Sequence, residues 1–221
     1  MKLIIVQHAE TAWNASGKLQ GQHHNSPFTV KGLREIKRLA KQLRRHKIDI
    51  IYTACLSYCI RSVESVLDEQ GDVPVILDLR LDQKNWGSLE GLTRAEIGQL
   101  HPDSGYDSNG KSVNLEKKYE FRPPGGGETW SEVEIRIKQF LTDIFLSHGD
   151  NETVVILTHS AIARAILASI CGVHLFEADR LIAHASLNVF TIRKNQAGQI
   201  FVYNPRLMLR LKKSLYNIFR P

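Results

Sequence analysis

The chain has 221 residues, 43% of them hydrophobic, and a formal net charge of +6 at pH 7. This is enough apolar material for one α/β domain with a sizeable core, and no stretch approaches the ~20 apolar residues of a membrane span. The excess charge sits at the end, where Arg206, Arg210, Lys212, Lys213 and Arg220 fall in residues 205–221 without an acid, so the body is nearly neutral and lacks the basic face that nucleic-acid binding needs.

Met1-Lys2 leads straight into an apolar strand, with no basic region, apolar stretch and small-residue cleavage site before it, and a cytoplasmic location is expected. Cys55, Cys59 and Cys171 are an odd number without repeated zinc-type spacing, which fits reduced thiols. Cys55 and Cys59, four apart, are expected to share a helix face; no metal or cofactor is expected.

In chain order, Leu3-Ile4-Ile5-Val6 reads as a strand buried on both faces that ends at Gln7-His8. His8 then lies at the C-terminal lip of the sheet, where the loops of open α/β folds diverge and leave a crevice for ligands. The loop from Ala9 to Thr29 is polar, and its adjacent His23 and His24 read as solvated histidines rather than metal ligands. From Lys31 a helix is predicted, with Leu33, Ile36, Leu39, Ala40 and Leu43 as its apolar stripe and a basic, solvated opposite face. Short strands are predicted over 48–53 and 73–77.

Residues 101–124 are the least periodic stretch and read as an insert crossing the C-terminal edge of the sheet, the kind of segment that shapes substrate choice. Thr129 and Glu132 form a capping box for a helix that buries Val133, Ile137, Phe140, Leu141, Ile144 and Phe145. Thr153 to Leu157 repeats the opening pattern, a buried strand ending at a histidine, His159; the two strand-end histidines are expected to share one crevice. Ser160 opens the following apolar helix, whose free N–H groups can face an anion. Strands over 187–193 and 199–204 read as antiparallel partners. Residues 205–221 form a basic amphipathic tail beyond a domain of residues 1–204. It is expected to fold back on that domain; the alternative is contact with a protein or a membrane surface.

The strand, then His8-Ala9-Glu10-Thr11-Ala12-Trp13-Asn14, Gly17, Gln20-Gly21, Pro27-Phe28-Thr29 and Gly32, resembles the opening of the histidine phosphatase superfamily, the phosphoglycerate-mutase-like proteins. The resemblance runs to about Asn204, and Gly126-Gly127-Glu128 is similar to that family's Pro-Gly-Gly-Glu-Ser signature. It implies an α/β three-layer sandwich around a central, mostly parallel sheet. It also implies an imidazole nucleophile that forms a phosphohistidine, with His8 and His159 as the catalytic pair. In the family two arginines grip the phosphate and a glutamate protonates the leaving oxygen.

This chain departs from the pattern at those three places. Gln7 stands for the arginine of Arg-His-Gly, Tyr58 for the arginine at the start of the next helix, and Gln83 for the acid. Ala9 replaces the glycine after the nucleophile, while Glu90 matches a family position that is mainly structural. Gln7, Asn14, Tyr58, Gln83 and Ser160 are therefore the expected ligand-binding residues. Hydrogen bonds to charged groups are worth ~1.5–3 kcal/mol each, so replacing two bidentate arginines forfeits several kcal/mol. Loss of the general acid costs roughly a further 10²- to 10⁴-fold.

The expected function is thus binding of, or action on, a small phosphorylated or less charged metabolite, with weak or absent phosphomonoesterase activity. The alternative is a non-catalytic pseudophosphatase serving as a binding or regulatory module. An ordinary phosphatase survives only if Arg61, Arg80, Lys84 or Arg164 reaches the pocket.

Overall fold

The computed structural model describes residues 1–23, 26–176, 187–194, 200–203 and 216–217. Among them runs one seven-stranded sheet in the order β3-β2-β4-β1-β5-β6-β7. Its strands are β1 (Lys2–Gln7), β2 (Ile50–Thr53), β3 (Val75–Leu77), β4 (Thr153–Thr158), β5 (Asn188–Lys194), β6 (Ile200–Tyr203) and β7 (Tyr216–Asn217). The first four are mutually parallel, and β5, β6 and β7 extend the β1 side antiparallel. This is the expected α/β architecture with a parallel core.

Strands β1 and β4 are apolar along almost their whole length because both of their faces are covered. Parallel strands need crossover helices, and right-handed crossovers determine which face each one covers. Helices α2 (Val30–Leu43) and α3 (Ser57–Gln70) connect β1 to β2 and β2 to β3, moving the same way across the sheet, and they pack on each other. The chain reverses from β3 to β4 through α6 (Trp130–Ser147), which packs on α7 (Ser160–Cys171), giving the third layer. The order reverses beside β1 and β4, which makes their C-terminal ends the switch point of the fold.

Helix α2 is capped by Thr29, which accepts from the Gly32 N–H, and it buries Ile36, Leu39, Ala40 and Leu43. Leu33, expected in that stripe, is instead 47% exposed. In the first turn Gly32 takes the inward position against the Glu10 backbone, which rotates Leu33 toward solvent. Cys55 and Cys59 do not share a helix face either, because α3 begins at Ser57 with Leu56 as its N-cap. The strand expected over 73–77 is the short, exposed edge strand β3.

The insert is more ordered than its composition suggests. After α4 (Arg94–Leu100) come a 3-10 turn, Pro102–Ser104, and α5 (Leu115–Glu120), capped by Asn114. Glu128 binds this region to the body: its N–H donates to Asn85 O at 2.9 Å, while its carboxylate accepts from Asn85 N and pairs with Arg136 of α6. Helix α1 (Ala12–Ala15) is a single turn in the loop after His8. Most of the basic tail, with His24, lies outside the described residues; Tyr216–Asn217 pair antiparallel with β6.

A Cβ added to Gly32 would collide with the Glu10 carbonyl oxygen in the loop that follows His8. Gly32→Ala is therefore expected to destabilise the protein by about 1–3 kcal/mol, read as a lower urea midpoint with an unchanged m-value.

Candidate functional site

Pairing of β1 with β4 places Gln7 opposite Thr158, and the His8 N–H continues the ladder onto Thr158 O at 2.8 Å. His8 and His159 therefore leave neighbouring strands at the same lip, with ring centroids 5.0 Å apart and both side chains buried. Tyr58, the second residue of α3, lies beside them at the end of β2. Its ring centroid is 4.7 Å from that of His8 and 5.3 Å from that of His159, and its hydroxyl donates to Gly21 O at 3.4 Å.

His8 Nδ1 lies 2.7 Å from the Ala9 carbonyl, which can only accept, so Nδ1 carries the proton and Nε2 keeps its lone pair. Burial lowers the His8 pKa to about 4, the bond to Ala9 opposing this only in part. His159 is pushed well below its ordinary value by burial, with smaller contributions from His8 and Arg136. Both imidazoles are thus neutral at pH 7. His159 Nε2 is 3.6 Å from Cys59 Sγ, whose thiol is held protonated because burial raises its pKa well above the usual value.

His8 opens into a cavity of about 650 Å³ whose lining includes the amide side chains Gln7, Asn14, Gln20 and Gln83, whereas His159 is buried beside His8 and is not part of the lining. Thr11 Oγ1 and Asn14 Nδ2 both donate to Gln20 Oε1, at 2.7 and 3.2 Å. Gln83 Oε1 accepts from Lys84 N at 3.1 Å, so Gln83 offers the cavity an amide NH₂ and no acidic proton. Gln7 Oε1 is buried without a hydrogen-bond partner among the described residues. Ser160 and Ala161, which open α7, also line the cavity. Every residue expected to bind ligand is therefore in or beside one cavity: Tyr58 forms part of the wall behind the histidines, and the others line the space directly.

Of the four cations considered as substitutes for the missing arginines, only Arg164 lines the cavity. Arg61 is exposed, with its guanidinium 5.1 Å from the centre of the Phe28 ring. Arg80 is held by Asp78 and Asp143. Lys84 is fully buried, its Nζ 4.6 Å from the Trp86 ring centre and 5.8 Å from that of Trp130, without a hydrogen-bond partner among the described residues. Asp82 accepts from Cys55 N, and Glu90 accepts from Gln22 N and Trp86 N, so both carboxylates serve the backbone.

Sequence reasoning missed Arg94, Tyr106 and Lys118, which also line the cavity. The capping box Thr93–Glu96 signals a helix start at Arg94, but nothing local says that this start opens onto the cavity beside His8. No group of three or more His, Cys, Asp or Glu that could hold a metal occurs among the described residues.

A family model described as the histidine phosphatase superfamily (branch 1) matches residues 3–204. The chain is 30% identical over 175 residues to Phosphoserine phosphatase 1 of Hydrogenobacter thermophilus, covering 79% of this chain and 78% of that one. It is 28% identical over 194 residues to a metal-independent phosphoserine phosphatase of Arabidopsis thaliana, covering 87% and 76%. Among solved structures, Bacillus stearothermophilus YhfR superposes with a TM-score of 0.72 at 25% identity, covering 92% of this chain and 96% of that one. The alpha-ribazole phosphatase of Shigella flexneri gives the same TM-score at 18% identity, covering 89% and 92%, a likeness of fold alone.

Two pH dependences follow from these burials. Below about pH 6.5 the unfolded chain protonates both histidines while the fold keeps them neutral, so stability falls as pH falls from 6.5 toward 4. At about pH 4.5 His8→Gln should remove roughly 2 kcal/mol of the loss that the wild type shows relative to pH 7, measured by urea unfolding. Burial lowers the Lys84 pKa from 10.5 to about 7, so between those values the unfolded chain holds the extra proton and stability rises with pH. Lys84→Met should therefore stabilise the protein more at pH 7 than at pH 10 in the same measurement.

Proposed function

The chain belongs to branch 1 of the histidine phosphatase superfamily, and from that premise we propose that its pocket has left ordinary phosphate-ester hydrolysis. It holds a small phosphorylated or less charged metabolite between His8 and His159, and its phosphomonoesterase activity is weak or absent. The observation that carries this reading is the packing of the Tyr58 ring against both imidazoles, with His8 kept neutral by burial.

The chemistry can be followed atom by atom. Attack of the His8 Nε2 lone pair on phosphorus would form an N–P bond and break the P–O bond, leaving an alkoxide that needs a proton. Gln83, facing the same cavity, cannot give one. Charge on the equatorial oxygens would meet amide NH₂ groups and the N–H groups at the start of α7, which are weaker partners than guanidinium. What remains strong is His8 itself, an unprotonated, oriented imidazole that can serve as nucleophile or base toward a substrate with a better leaving group or less charge.

A second reading, a pseudophosphatase that binds a ligand without turning it over, is favoured by the buried Gln7 Oε1, an acceptor on a side chain lining the cavity that has no partner among the described residues. The partner in either reading is a small molecule rather than nucleic acid. The three cysteines are free and no helix among the described residues is long and apolar enough to cross a membrane, which suits the cytoplasm proposed for the protein.

The test is hydrolysis of a phosphomonoester panel that includes phosphoserine, the compound in a relative's name. Wild type, His8→Ala and the triple variant Gln7→Arg/Tyr58→Arg/Gln83→Glu are compared. The triple variant is expected to exceed the wild type by at least about 10²-fold in kcat/KM. Wild-type turnover equal to that of the triple variant and abolished by His8→Ala would overturn the reading.

A further inference from the structure

The two imidazoles are tied down by different chemistry. His8 Nδ1 is held by a backbone carbonyl, that of Ala9, whereas His159 Nε2 faces a side chain, the thiol of Cys59. Cys59 and His159 stand 100 residues apart in the chain. They meet because β2 pairs with β4, with Thr53 opposite Leu157, so the first turn of α3 comes down beside the residue that follows β4. Both side chains are buried and neither is part of the cavity lining. The His159 ring is held edge-on by Tyr58 and His8, at interplanar angles of 85° and 68°.

What each group can do sets the direction of the hydrogen bond between them. Burial keeps the thiol protonated and the imidazole neutral. A neutral imidazole has one N–H and one lone pair, and a thiol sulfur is a poor acceptor, so the stronger arrangement gives the S–H proton to the Nε2 lone pair. The helix offers that proton no alternative. Ser62 and Ser65, further along α3, donate to the carbonyls of Tyr58 and Arg61, four residues back. Cys59 sits in the first turn, where the residue four back is Cys55, ahead of the N-cap Leu56 and outside the helix.

We propose that Cys59 is a positioning residue that commits His159 to the Nδ1–H tautomer, so that His159 contributes a neutral N–H donor while His8 keeps the lone pair of the two, at Nε2. The histidines then have unlike roles. Base or nucleophile chemistry belongs to His8, and His159 has no lone pair left with which to take a proton. This inference rests on the neutrality of both rings that the proposed function also uses.

The test is heteronuclear NMR of the full chain with isotope-labelled histidine at neutral pH, where couplings from the ring C–H protons tell a protonated ring nitrogen from a bare one. Wild type and Cys59→Ala are compared, and His8→Gln and His159→Gln identify the two rings among the nine histidines. In the wild type, His159 is expected with Nδ1 protonated and Nε2 bare. That is the minor form of a free histidine side chain, so its dominance marks a donor at Nε2 rather than packing. In Cys59→Ala the ratio of the Nδ1–H to the Nε2–H form is expected to fall about two- to tenfold, the worth of one hydrogen bond. Circular dichroism checks the fold, and the wild-type spectrum decides the tautomer even if Cys59→Ala unfolds.

A wild-type His159 protonated at Nε2 would overturn the inference, because the thiol would then be the acceptor. So would an Nδ1–H form that persists unchanged in folded Cys59→Ala. Both nitrogens of His8 and His159 protonated at neutral pH would sink the inference and the neutral-pocket reading together.

Discussion

The pairing of β1 with β4 is the constraint on which the rest of the molecule depends. Two parallel strands separated by about two thirds of the chain lie side by side in a single register, so the residues just beyond them, His8 and His159, emerge together. A slip of one residue would turn each apolar run to the other face and separate the imidazoles. Burial on both faces makes such a slip costly, and the His8 N–H bond to Thr158 continues the ladder one residue past the strand. The site is thus a product of core packing, and its precision follows from the order of the sheet.

Burial also sets the chemistry of the two histidines. In a working phosphate site, fixed positive charge compensates a doubly charged ligand. Here the imidazoles are surrounded by an aromatic ring, a thiol and amides, so desolvation is the dominant influence and both rings stay neutral. The Ala9 carbonyl then fixes the tautomer of His8. A neutral, oriented imidazole can serve as nucleophile or base. Tyr58 illustrates the exchange: its ring contributes packing against both imidazoles and its hydroxyl turns to the Gly21 carbonyl, where an arginine would have extended a charged fork.

Elements from the insert, the start of α4 and the second turn of α7 bring Lys118, Arg94 and Arg164 to the lining of the same cavity, together with Tyr106, Trp130 and Phe176. The insert gains its shape from local devices, Asn114 capping α5 and Glu128 bridging to Asn85 and Arg136, so this wall is attached to the same frame that holds the histidines. Lys84 lies behind it between two tryptophan rings, an amine whose burial favours its neutral form.

Much of this was legible in the sequence, because its signals are local and periodic. Unbroken apolar runs ending at His8 and His159 mark buried strands with residues at their lips, and the capping box at Thr129 with the stripe from Val133 to Phe145 marks α6. The identities of Gln7, Tyr58 and Gln83 are likewise sequence facts, and they bound the charge available near the histidines whatever the details of packing. The sequence could not decide which cations reach the cavity. Arg61, Arg80, Lys84 and Arg164 are equivalent as letters; in the fold Arg61 faces solvent, Arg80 is held by aspartates, Lys84 is buried behind tryptophans and only Arg164 opens onto the cavity. Leu33 failed as a core residue for the same reason, since Gly32 had to press on the Glu10 backbone. Local pattern determines which elements form and which chemical groups they carry, whereas convergence of Arg94, Lys118 and Arg164 on one wall depends on contacts between segments far apart in the chain, which only tertiary packing decides.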